Sequence, residues 1–82
     1  MKAQIPLQMA TPHGRQIGTG TYKGHGIRIV VGYDIQSDAY LAHLYITDPS
    51  GVEQKTGLPE AKLTTAEEGF DLALGQVFAT LG

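Results

Sequence analysis

The sequence predicts an α+β fold: an antiparallel β-meander of four to five strands with one C-terminal α-helix packed on one face. Three observations carry that prediction. The runs 27–35 and 40–47 alternate apolar and polar residues in antiphase, as the two arms of one hairpin do. Two cassettes of the same form, Thr11-Pro12-His13-Gly14 and Asp48-Pro49-Ser50-Gly51, combine a proline that presets φ with a glycine that accepts the left-handed position, and each is expected to close a further hairpin. Near the C-terminal end, an apolar stripe at helical spacing follows a capping signature.

In chain order, Ala3, Ile5, Leu7 and Met9 alternate with Lys2, Gln4, Pro6 and Gln8, a strand pattern in which Pro6 permits only an edge position. Residues 1–14 are therefore expected to be an N-terminal edge strand or flexible segment, and 15–82 a single sheet-plus-helix domain. Closing the first cassette on Thr11 and Arg15 sets Met9 opposite Ile17. A short loop at Lys23-Gly24-His25 places Thr21 against Ile27, Val30 beside Gly18 and Arg28 beside Gly20. A turn near Ser37-Asp38 sets Ile35 opposite Tyr40, Val31 opposite Leu44 and Ile29 opposite Ile46. The second cassette sets Ile46 against Gln54 and Tyr45 against Lys55, and the last strand, 52–56, is short and polar as an edge strand should be.

The helix begins at Thr65, with Glu68 three residues on. Ala66, Phe70, Ala73, Leu74, Val77, Phe78 and Leu81 form its apolar stripe, and Gly69 and Gly75 suggest close approach to a strand. Tyr33, Leu44, Phe70, Leu74 and Phe78 are the expected core. One helix about 10 Å wide covers only two or three strands spaced about 4.8 Å apart. Three arrangements would deal with the remaining core face: the sheet curls, the N-terminal strand folds elsewhere, or a second copy covers it.

Composition narrows the function classes. Eighty-two residues make one domain. The absence of Cys removes disulfides and thiolate zinc sites and fits a reducing compartment, with the cytoplasm as the expected location. No apolar stretch approaches the roughly 20 residues of a membrane span. A net charge of -2 without a basic block disfavours nucleic acid as a partner. His13, His25 and His43 lack the helical i, i+4 spacing and neighbouring carboxylates of a zinc site, and the Gly18 to Gly24 run lacks the Gly-Lys-Ser/Thr ending of a phosphate loop. Ser37 and Ser50 sit at turn tips without a buried base, and the acidic pairs flank turns or cap the helix. No cofactor, metal or catalytic residue is expected, and the chain reads as no enzyme.

The candidate site is the sheet face turned away from the helix. The expected register gathers Tyr22, Arg28, His43 and Tyr45 there around a floor of Gly18 and Gly20, with an arginine beside exposed tyrosines suited to stacking on a partner. The leading expectation is a non-enzymatic protein-interaction module that self-associates.

Residues 65–73, preceded by a hairpin and the Gly57-Leu58-Pro59 loop, resemble the strand-to-helix passage of HicB-type antitoxins, small β-rich proteins with a partly degraded double-stranded-RNA-binding fold. That resemblance implies toxin neutralisation or nucleic-acid-binding regulation. Tyr22-Lys-Gly-His-Gly-Ile-Arg-Ile29, taken with the strand from Tyr40 to Ile46 and the helix, resembles small uncharacterised sheet-plus-helix proteins of Gram-negative bacteria, which implies a bacterial source and the same fold without an assigned activity.

Overall fold

The computed structural model describes residues 5–11 and 14–82. Five strands, β1 (Gln8–Ala10), β2 (Gln16–Tyr22), β3 (His25–Asp34), β4 (Ala39–Thr47) and β5 (Glu53–Thr56), form one antiparallel sheet in the order β1-β2-β3-β4-β5. Helix α1 (Ala66–Leu81) lies across it and makes the expected α+β fold. The expected strand positions of Lys2, Ala3 and Gln4, and the turn positions of Pro12 and His13, lie outside the described residues.

The hairpin between β4 and β5 follows the predicted register, with Ile46 opposite Gln54 and Tyr45 opposite Lys55. Its loop is held by Asp48. The carboxylate accepts from the Ser50 and Val52 backbone N–H groups and the Ser50 hydroxyl, while Gly51 takes φ of 96° and donates to the Asp48 carbonyl.

The other three registers differ from expectation. Between β3 and β4 the offset is two residues: Ile29 faces Leu44 and Tyr33 faces Tyr40, with Ile35 to Asp38 forming the loop and Ile35 left 83% exposed. Because side chains alternate with a period of two, this shift moves partners without exchanging faces. Between β2 and β3 the offset is one residue, which does exchange them. Tyr22 pairs with His25 around a two-residue turn in which Lys23 (φ 50°) and Gly24 (φ 78°) are both left-handed, a type I′ geometry in place of the expected three-residue loop. Gly18 then faces Ile29 and Gly20 faces Ile27. Between β1 and β2, Met9 lies opposite Gly18 rather than Ile17.

The core comprises Ile27, Ile29 and Val31 of β3, Leu44 and Ile46 of β4, and Phe70, Ala73 and Val77 of α1, joined by Ile5. Leu74 and Phe78 pack against it half-buried. Tyr33, expected inside, is 51% exposed beyond the end of the helix, edge-on to Tyr40 with its hydroxyl donating to Asp38. Gly69 lies against Val31, where an added Cβ would come within 3.1 Å of that side chain, so the helix does approach the sheet there. Gly75 faces open space and makes no such approach.

Over β2, the core face that α1 leaves bare is covered by the chain itself. Residues 5–7 leave the plane of the sheet and cross β2: a Cβ on Gly20 would meet the Pro6 carbonyl oxygen at 2.5 Å, and one on Gly18 would meet Leu7 and Phe70, each at 3.0 Å. Glycine at these two positions leaves room for Ile5 to reach 5% exposure in the core.

The helix start is the expected capping box. The Thr65 hydroxyl accepts from the Glu68 N–H, and the Glu68 carboxylate accepts from the N–H groups of Thr64 and Thr65 and from the Thr64 hydroxyl. Those bonds, led by the one from the Thr64 hydroxyl, hold the Glu68 carboxyl below its ordinary range. A lowered folded-state value means that the contribution to stability is complete above the unfolded carboxyl's pKa and is lost as pH falls through the folded one. Glu68→Gln keeps an acceptor but loses the charge. Its melting temperature is expected to fall less steeply than that of the wild type on acidification below the usual carboxylate range, and parallel melting curves would refute this linkage.

Candidate functional site

Among the described residues, no helix or second sheet lies over the face of the sheet opposite α1. Alternation along β3 and β4 turns Arg28, Val30, Gly32, Leu41, His43 and Tyr45 outward, because Ile27, Ile29, Val31, Leu44 and Ile46 turn in. The cross-strand rows follow from the pairings. Thr19, Arg28, Tyr45 and Lys55 form one, and Ile17, Val30 and His43 form the next.

Of the expected site residues, Arg28, His43 and Tyr45 are together on this face. The Arg28 guanidinium carbon lies 4.2 Å from the centroid of the Tyr45 ring. The same guanidinium donates twice to Glu53, from Nη2 to Oε1 at 3.0 Å and from Nε to Oε2 at 3.3 Å. A guanidinium over an aromatic ring is thus also held by a bidentate carboxylate, an arrangement that restricts its orientation. Both partners are well exposed to solvent, so its net stability is small.

His43 pairs with Val30 in the next row. Partial burial, and after it the positive charges of Lys55 and Arg15, push its pKa down. The shift favours the neutral ring, which offers one donor and one acceptor nitrogen. Arg15 lies over Gly32, where a Cβ would come 3.4 Å from its Cγ. It borders a shallow hollow of about 200 Å³ with Val30, Leu41 and His43.

Tyr22 does not belong to this patch. The one-residue register difference turns it to the helix side, where its ring meets Phe78 edge-on at 5.2 Å between centroids and its hydroxyl donates to the Gly82 carbonyl at 3.1 Å. Lys23 donates to the same carbonyl. The expected floor of Gly18 and Gly20 moves to the inner face with it. In their place the outer face presents Ile17, Thr19 and Thr21, and Ile17 is the apolar member that the expected register hid.

Among the described residues no cluster of three or more His, Cys, Asp or Glu could hold a metal ion, and no helix is long and apolar enough to cross a membrane. No family model, curated protein or solved structure matches this chain.

Proposed function

We propose that the chain is a non-enzymatic protein-interaction module that self-associates through its outer sheet face. The supporting observation is an uncovered apolar strip, Ile17, Val30, Leu41 and Tyr45, bordered by Arg15, Arg28 and Lys55. Leu41, in the end row opposite Gly32, is 47% exposed. An apolar patch with a polar border is the common composition of a protein-binding surface, and arginine and tyrosine are the residues most often found as anchors in one.

Light scattering after size exclusion at several concentrations tests this reading. The wild-type mass is expected to rise toward twice the monomer value. The double variant Arg28→Ala, Tyr45→Ala is expected to stay monomeric while remaining folded, since neither side chain belongs to the core. A wild type that stays monomeric at every concentration, or a double variant that still dimerises, removes the reading.

A second reading, a nucleic-acid-binding regulator of the HicB sort, draws support from the gathering of Arg15, Arg28 and Lys55 on one face of a chain whose net charge is -2. Arg28 is already neutralised by Glu53, which leaves that face fewer cations to exchange with phosphates. Binding of duplex RNA that weakens steeply with added salt and is lost in the same double variant would favour it over self-association.

A further inference from the structure

The outer edge of β4 has a gap one residue wide. On that edge the Asp48 N–H donates to Val52 and the Tyr40 N–H to Leu63, both at 2.9 Å, and β5 pairs with β4 only from Leu44 onward. Since successive residues of a strand alternate the edge to which their N–H and C=O point, Ala42 directs both toward the same edge. There the chain has left the sheet: residues 57–62 swing outward between Thr56, opposite Leu44, and Leu63, opposite Tyr40, and none of them bonds the Ala42 backbone.

The space enclosed is a hollow of about 710 Å³, within the range of ligand pockets. Leu58, Leu63 and Leu72 supply apolar wall, and Lys55, Lys62 and Glu60 stand at its lining, a net charge of about +1.

We infer that this hollow captures the C-terminal residue of a partner peptide ending in an apolar side chain. The shape of the gap selects a chain end. A through-running strand would need to pair with Tyr40 or Leu44 as well, and both are already bonded to Leu63 and Thr56. A terminal residue brings what one free antiparallel position requires. Its N–H donates to the Ala42 carbonyl, and a carboxylate oxygen accepts from the Ala42 N–H. The carboxylate charge is matched by the excess of Lys55 and Lys62 over Glu60, and the last side chain lies against the leucines. This site is on the edge of the sheet and borders the outer face through Leu41, His43 and Lys55, but it does not rest on self-association.

The test is a titration of the full chain with N-acetyl-alanyl-alanyl-leucine, followed by amide NMR. Saturable shifts centred on Ala42 and Leu63 are expected. The C-terminal carboxamide of the same peptide, which keeps a carbonyl acceptor but loses the charge, and octanoate, which keeps the charge but lacks the peptide N–H, are each expected to bind about tenfold more weakly. Replacing Lys55→Gln and Lys62→Gln together should bring the acid close to the carboxamide. The inference is overturned if acid and carboxamide bind equally, if octanoate matches the peptide, or if the shifts centre on Val30 and Tyr45. It is also overturned if nothing saturates by about 10 mM, beyond which a site has no useful affinity.

Discussion

Leu44→Ala is expected to destabilise the fold by about 2–5 kcal/mol, the range for emptying a fully buried leucine site. Leu44 has no solvent exposure and lies opposite Ile29, which has none either. Its strand also pairs with β5 and lies under α1, so the surrounding backbone is bonded on both sides and has little room to collapse into the void. For a domain of this size each kcal/mol moves the melting temperature by about 4–8 °C, so thermal unfolding reads the effect directly. A melting temperature within experimental error of the wild type would show that Leu44 is not at the centre of the core.

Phe70→Ala should cost about 3–5 kcal/mol, and its effect should spread in a particular direction. The Phe70 ring reaches from α1 to β2, into the space beside Leu7 left by the missing side chain of Gly18. It therefore holds the crossing segment 5–7 as well as the helix. Amide exchange at Ile5 and Leu7 is expected to accelerate more than at Ile46, because segments with few layers over them open first. Equal acceleration at all three would mean that the crossing segment does not depend on the ring. Phe78 is half-buried beside Tyr22, and its truncation should cost less.

How much of this was legible in the sequence depends on whether a strand's inner positions carry side chains. In β3 and β4 they carry Ile27, Ile29, Val31, Leu44 and Ile46, so even a two-residue register error left every side chain on its correct face, and Arg28, His43 and Tyr45 came out together. In β2 the inner positions are Gly18, Gly20 and Tyr22, and glycine leaves no hydrophobic mark to read. The turn gave little help: a left-handed Lys23 beside Gly24 is an unusual choice where asparagine or aspartate is common. One residue of slip then inverted the strand and put Tyr22 on the wrong face.

The helix and the last hairpin were read correctly because their determinants are local. The Thr65 and Glu68 capping box and the Asp48 turn are each complete within a few residues. The gap at Ala42 and the crossing of residues 5–7 are set by where two chain segments run in three dimensions, and no local pattern marks either.

The strand order has a consequence for how the chain reaches this structure. Every hydrogen-bonded neighbour in the sheet is also the next strand along the chain, so the sheet can zip one hairpin at a time without closing a long loop first. The hairpin β3–β4 supplies most of the apolar surface that α1 later covers, which makes it the natural place for assembly to start. A meander of this kind replaces the long-range closures of a Greek-key sheet with a succession of short ones.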